Sequence, residues 1–231
     1  MAIDTWLLEQ HRLGLHPPAL RFYTWQPAIS LGYHQRRYPD FWQQLRWNGN
    51  LLDLVRRPSG GRAVLHQGDL TYAVITSGIP GSRIQSYEKI CQFLIAGWQA
   101  LGVELYYGAA KRSDRHDPNC FAIATGADLV TAAGIKLIGS AQLRRQQAIL
   151  QHGSIRLSTD ADLFQQVFGV SLAPLELPLH PPIQQVTEAL TTAALTCFDI
   201  ELEVRQLSDA EWQDIHRQAN LQADQRLEIH H

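Results

Sequence analysis

Cations, paired glycines and a histidine crowd one short stretch of the chain, RRPSGGRAVLH over 56–66, with no acid among them. Arg56, Arg57 and Arg62 offer planar donors matched to phosphate or carboxylate. Gly60 and Gly61 can adopt positive φ and let a ligand approach backbone N–H groups. Taken alone, a Gly-Gly step between strands is an ordinary hairpin turn, and an arginine pair is an ordinary solvated edge. Cations on both sides of the glycines, inside an otherwise apolar strand pair, point instead to an anionic small molecule. A second stretch, KLIGSAQLRRQQAILQHGSI over 136–155, adds Lys136, the small run Gly139-Ser140-Ala141 and the polar run Gln151-His152-Gly153-Ser154.

A lysine in mid-strand usually faces solvent. Here Ile135, Leu137 and Ile138 surround Lys136 and small residues follow, so a ligand can lie against the sheet. Among arginines and apolar walls such an amine can give up its charge and join in proton transfer. Cys120 follows a loop bearing Lys111, Arg112 and Arg115. An unperturbed thiol has a pKa of about 8.5, and neighbouring cations lower it. On residue type and spacing alone Cys120 reads first as a small buried hydrophobe. Cys91 lies on the apolar face of a long helix and Cys197 closes another, so both read as packing residues. His66 and His152 read as hydrogen-bonding residues at strand ends. The histidines do not stand at ligand spacing with acids or cysteines, so no metal is expected.

Composition bounds the class. A chain of 231 residues with 45% hydrophobic and 18% charged residues can bury one large core. A net charge of −2 implies no bulk attraction to nucleic acid. Three cysteines make no disulfide framework, which fits a reducing compartment. The N-terminus lacks a basic region followed by an apolar one, and no run reaches the roughly 20 apolar residues of a membrane helix. The expected location is the cytoplasm.

These residues need elements to hold them. The pattern predicts helices at Ala2–Arg12, Phe41–Trp47, Ser86–Leu101, Asp160–Phe168 (capped by Ser158 or Thr159), Ile183–Cys197 and Ser208–Leu221. Strands are expected at Leu20–Trp25, Ile29–Tyr33, Leu51–Arg57, Ala63–Ile75, Val103–Tyr107, Leu129–Thr131, Ile135–Gln142, Ala148–Leu157 and Ile200–Val204. Leu172–Pro182 holds four prolines and reads as a linker. The fold class is mixed α and β: a largely antiparallel sheet with helices on one face, in a catalytic domain over 1–171, and a small C-terminal addition over 183–231.

RRPSGGRAVLHQGDLTYAV and GIKLIGSAQLRRQQAILQHGSI resemble the two signature segments of the biotin/lipoate protein ligase and acyltransferase superfamily. MAIDTWLLEQ resembles its first helix and ALRFYTWQPAISLGYHQ the strand pair after it; the resemblance also implies a strand ahead of that helix. NCF at Asn119–Phe121 resembles the cysteine-dependent octanoyltransferases of lipoate assembly. The run AIATGAD that follows departs from their pattern, and the spacing to Lys136 is one residue longer.

The resemblance implies transfer of an octanoyl or lipoyl group from acyl carrier protein to a lysine of a lipoyl domain, in 2-oxoacid dehydrogenases or the glycine cleavage H protein. Cys120 becomes the nucleophile. Lys136 contacts the acyl carbonyl and helps deprotonate the acceptor amine. Arg56, Arg57, Gly60, Gly61, Arg62, His66, Tyr72, Gly139, Ser140, Ala141, His152 and Gly153 contact substrate. Val55, Leu65, Tyr72, Val74 and Leu137 are candidate walls for the acyl chain. No cofactor is needed on this reading, and neither nucleic acid nor membrane is a partner. Two rival readings stay open. An ATP- and magnesium-dependent lipoate ligase would use Arg57, Gly61 and Lys136 around an acyl-adenylate; a non-catalytic carrier-binding protein would use the same fold. A biotin ligase fits the glycine turn less well.

Overall fold

A computed structural model of the chain describes residues 1–108, 128–177 and 180–228, the stretch 221–228 by its backbone alone. In chain order the elements are α1 (Ala2–Arg12), β1 (Ala19–Tyr23), β2 (Ala28–Leu31), a 3-10 turn at Asp40–Gln44, β3 (Arg46–Trp47), β4 (Asn50–Leu51), β5 (Asp53–Arg56), β6 (Val64–His66) and β7 (Asp69–Ser77). Then follow α2 (Arg83–Ala100), β8 (Leu105–Tyr107), β9 (Asp128–Thr131), β10 (Lys136–Arg145), β11 (Ala148–Arg156), α3 (Ala161–Phe168), α4 (Ile183–Phe198) and α5 (Asp209–Glu228).

Six strands form one antiparallel sheet in the order β1-β7-β11-β10-β9-β8. Three more form a small sheet, β5-β2-β6, in which β2 runs parallel to β5 and antiparallel to β6. The expected mixed fold with a largely antiparallel sheet is what the chain adopts.

Helices cover both faces of the large sheet, not one. Leu70, Tyr72 and Val74 of β7 pack with Phe93 and Trp98 of α2 and Leu190 of α4. Their alternates Ala73 and Ile75 pack with Trp6, Leu7 and Leu8 of α1 and Ile215 of α5. Successive strand residues point to opposite faces, and β7 and β11 are buried at nearly every position, which is the pattern of a sheet covered on both sides. The small sheet has its own core, where Ile29, Leu31 and Leu65 meet Trp42 and the α3 residues Leu163, Phe164 and Val167.

Other expectations shift for local reasons. Ser82 and Gln85 form a reciprocal capping box, so α2 begins earlier than its apolar spacing implied. The cap of α3 is Asp160, whose carboxylate accepts from Leu163 N–H at 2.7 Å. Ser158 is engaged elsewhere, its N–H donating to the Gly68 carbonyl at 2.8 Å. The helix expected at Phe41–Trp47 is a 3-10 turn followed by a short ribbon strand. No strand forms at 200–204, and Val204 is 99% exposed there. The proline-rich linker is irregular in its described part but anchored: Leu175 and Leu177 pack on the α2 core, and Arg156 donates to the Ala173 carbonyl. No helix among the described residues is long and apolar enough to cross a membrane.

Candidate active site

Strand periodicity builds the site. On β2 and β6, Ile29, Leu31 and Leu65 turn into the small core, which sends Ser30, Val64 and His66 the other way. They face Thr71 of β7, Gly139 and Ala141 of β10, and His152 and Ser154 of β11. Between the two sheets lies a cleft of about 420 Å³, part of it open to solvent, with Gly60 and Gly61 at its rim.

The glycine loop is held by close backbone contact. Gly61 has φ +96°, where a side chain is strained, and a Cβ there would stand 2.7 Å from Arg57 Nη2. A Cβ on Gly32 would fall 1.8 Å from the Gly61 carbonyl oxygen, so the end of β2 lies directly against the loop. Arg57 is 5% exposed and donates to backbone carbonyls around it: Ser30 at 2.9 Å, Gly60 at 3.0 and 3.1 Å, and Arg62 at 2.5 Å. It lines the cleft and ties the loop to β2. Arg56 donates to the Gly32 and Gln35 carbonyls at 2.8 and 2.7 Å and fastens the chain beyond β2.

On the wall formed by the small sheet, His66 is bonded at both ring nitrogens. Nδ1 lies 2.8 Å from Asp69 Oδ2 and Nε2 lies 2.8 Å from Ser30 Oγ. Trp25 stacks on the ring at 4.3 Å and 19°. Asp69 Oδ2 also accepts from Ser154 Oγ at 2.6 Å. On the large-sheet wall, His152 Nε2 bonds Ser59 Oγ of the glycine loop. Its Nδ1 stands 3.7 Å from Asp4 Oδ2 on α1, beyond hydrogen-bond reach, and has no partner. Burial draws the His152 pKa below its ordinary value despite that nearby carboxylate, so the ring is neutral. Asp4 is itself held by Tyr23 Oη at 2.6 Å and by Arg21.

Lys136 sits at a bulge in the β9–β10 pairing, and its Nζ lies 2.9 Å from Asp128 Oδ1. Both side chains are only 4% exposed. The lysine lies across Gly139, where a Cβ would stand 2.8 Å from its Cε and 3.1 Å from its Nζ. An empty position at Gly139 thus gives the ammonium its place at the edge of the cleft.

Of the residues singled out from the sequence, Arg57, Gly60, Gly61, His66, Gly139, Ser140, Ala141, His152 and Gly153 line this one cleft. Lys136 adjoins it through Gly139. Arg56 and Arg62 are not in its wall. Tyr72 is not either: it sits on the opposite face, fully buried, donating to Ser140 Oγ at 2.8 Å and accepting from Gln151 Nε2 at 3.0 Å. Val74 and Leu137 likewise belong to the α2 core. Cys91 is buried in that core, its thiol pushed up to about 12 by burial, while Cys197 packs at the margin. Cys120, with Lys111, Arg112 and Arg115, lies outside the described residues. Sequence reasoning missed Ser30, Ser59, Asp4, Asp69 and Asp128. Asp69 alone had a local signal, in the turn His66-Gln67-Gly68-Asp69 with Gly68 at φ +66°. Among the described residues no three His, Cys, Asp or Glu side chains converge as metal ligands.

Comparison with known proteins agrees with this architecture. Residues 1–174 match the family model for the lipoyl protein ligase A/B catalytic domain. Octanoyltransferase LipM of Lysinibacillus sphaericus (strain C3-41) is 40% identical over 184 residues, covering 74% of this chain and 66% of that protein. Octanoyltransferase LipM of Geobacillus kaustophilus (strain HTA426) is 38% identical over 181 residues, covering 73% of this chain and 64% of that protein. The match thus spans just under two thirds of either relative's length. A crystal structure of lipoate-protein ligase A bound with ATP superimposes with a TM-score of 0.77 at 22% identity, over 94% of this chain and 86% of that one. A putative lipoate protein ligase from T. acidophilum with bound lipoic acid gives 0.73 at 21% identity, over 93% and 88%. At such identities the likeness concerns the fold. With three quarters of its length matched by the family model and by relatives near 40% identity, the chain belongs to the lipoyl protein ligase A/B catalytic domain family.

Proposed function

We propose that this chain is a cytoplasmic acyltransferase that moves an octanoyl or lipoyl group from acyl carrier protein to a lysine of a lipoyl domain. The observation that carries the reading is the convergence of both motif segments on one cleft, with the buried Lys136–Asp128 pair at its edge. The relatives named octanoyltransferase support the reaction class.

On this reading the Cys120 thiolate attacks the carrier thioester and the acyl group passes to its sulfur. The carrier leaves, and the acceptor amine attacks the new thioester. Lys136, paired with Asp128, meets the acyl carbonyl across Gly139 and takes the proton of the incoming amine. Backbone N–H groups around Gly60-Gly61 and Gly139 are donors for the tetrahedral oxyanion. Thioester to amide is downhill, so no nucleotide or metal takes part.

The test compares donors. With octanoyl-acyl carrier protein and no nucleotide, a lipoyl domain should gain one octanoyl group; with free octanoate, ATP and magnesium it should gain none. Use of free acid with ATP, and none of the carrier thioester, would make this chain a ligase with an adenylate around Arg57, Gly61 and Lys136.

A further inference from the structure

We propose that the exposed segment 33–37, at the mouth of the cleft, is the docking surface for the acyl-donor carrier protein, which it recognises as an anion through Arg36 and Arg37. The inference rests on the acyl-transfer reading above and concerns which of the two protein substrates this face receives. It begins with how the segment is held. Gly32 lies against the Gly61 carbonyl, and Tyr33 N–H donates to the Ser59 carbonyl at 2.9 Å. Arg56 donates to the Gly32 and Gln35 carbonyls at 2.8 and 2.7 Å, and Gln35 N–H closes a turn on the Gly32 carbonyl at 3.0 Å. Gly60 and Gly61 line the cleft, so Arg36 and Arg37 follow directly from a turn seated on its rim. Tyr33, His34, Arg36 and Arg37 are all exposed. Neither Arg36 nor Arg37 forms an ion pair with another described residue.

The two stretches that meet here carry one sign of charge. No Asp or Glu occurs at 27–39 or at 54–68, although the chain as a whole carries −2. Asp53 stands at the far end of the β2–β5 pair, opposite Ala28, whereas Arg56 stands opposite Leu31 beside the turn. Arg56 bonds neutral carbonyls, which hold the guanidinium in place and leave its charge intact. A cleft mouth of one sign between protein walls concentrates its field and draws in counter-charged partners. The residue types also fit a protein contact, because tyrosine and arginine are enriched in interfaces, and Tyr33 is 54% exposed beside the arginine pair.

The chemistry of the two substrates selects the donor. The donor's acyl group arrives on a phosphopantetheine arm, rooted in the carrier by a phosphodiester anion. The acceptor arrives on a lysine, a cation in water until it loses its proton. A positive mouth favours the first at the moment of encounter and gives the second no such help. Arginine adds geometry to charge, since its planar fork matches carboxylate and phosphate alike.

The experiment compares donors on the full chain. With a lipoyl domain as acceptor, kcat/KM is measured for octanoyl-acyl carrier protein, octanoyl-phosphopantetheine and octanoyl-pantetheine, in wild type and in the double variant Arg36→Glu, Arg37→Glu. Use of the carrier donor should fall about tenfold or more in the variant, through KM, the lower end of the range that electrostatic steering covers. Wild-type use of the carrier should also fall toward the variant's as salt rises to about 0.5 M. The neutral octanoyl-pantetheine should serve both proteins equally, and the KM for the lipoyl domain should not move. An equal fall with octanoyl-pantetheine would mean that the segment only shapes the cleft, and would overturn the docking surface. An equal fall with octanoyl-phosphopantetheine would place recognition in the arm's phosphate and overturn a protein contact. A rise confined to the lipoyl-domain KM would assign the face to the acceptor and overturn the proposal as well. A wild-type chain that transfers from none of the three donors would overturn the acyl-transfer reading instead. The face is then still tested by titrating fluorescently labelled carrier protein with each chain and reading anisotropy: weaker binding by the variant supports it, and equal binding overturns it.

Discussion

The cleft has a histidine on each wall, and each ring stands between a serine hydroxyl and a carboxylate. On the small-sheet side the line is complete, with His66 at 2.8 Å from both Ser30 and Asp69 and Trp25 stacked on its face. On the large-sheet side it is open. His152 holds Ser59 of the glycine loop, but its Nδ1 lacks a partner and Asp4 stays 3.7 Å away. The same three residue types therefore do different work. A ring bonded at both nitrogens is fixed in orientation and braces the small-sheet wall; a neutral ring bonded at one is a latch between β11 and the glycine loop.

The largest way to break this comparison is to move the loop that both rings depend on. Gly32→Ala places a Cβ within 1.8 Å of the Gly61 carbonyl oxygen, so backbone must shift at the rim of the cleft. A displacement of about 1 Å at a site that positions reactants costs about 10²-fold in rate, and transfer to a lipoyl domain should fall at least that far. Wild-type turnover by Gly32→Ala would show that the loop position does not matter.

The histidines themselves should differ in stability when replaced. His66→Ala strips two buried bonds and leaves the buried Asp69 carboxylate with hydroxyl donors alone, Ser154 and Thr71, a cost of about 2–4 kcal/mol. His152→Gln removes a single bond and should cost about 1 kcal/mol. Urea unfolding of both variants measures the gap, and equal losses would erase the distinction. The pH dependence sharpens it. Because burial lowers the His152 pKa in the folded state, the unfolded chain binds the extra proton as pH falls below the ordinary histidine value of about 6.5. The stability that this ring contributes is complete above that pH and declines below it, with a slope of at most about 1.4 kcal/mol per pH unit. His152→Gln should flatten the decline.

The sequence revealed most of the large sheet because long strands announce themselves. β10 and β11 are apolar-rich runs around a polar turn, and the Gly-Gly loop stands out by its flanking arginines. The same reading placed helices on one face, although the near-continuous apolar run of β7 carried the signal for two. It also read Arg56 and Arg57 as ligand donors; in the folded chain both also bond loop carbonyls, at Gly32, Gln35, Ser30 and Gly60. The partners that complete the site were illegible for a different reason. Ser30 meets His66 across 36 positions through the β2–β6 pairing, Ser59 meets His152 across 93 from loop to large sheet, and no local periodicity links residues so far apart in the chain. Gly32 gave no sign either, because its importance is a contact with Gly61 that exists only in the folded chain. Asp128, the partner of Lys136, precedes it by a strand and a turn, and the two meet beside a bulge in the β9–β10 pairing.

The central claim is that an acyl group passes through Cys120 in a cleft built from the two motif segments. The most direct measurement is the intact mass of the protein after incubation with octanoyl-acyl carrier protein in the absence of ATP. The account predicts one added octanoyl group, lost in Cys120→Ala and kept in Cys91→Ala and Cys197→Ala, the first of which removes a thiol that burial has pushed up to about 12. An adduct that persists in Cys120→Ala, or no adduct on the wild-type chain, would contradict it.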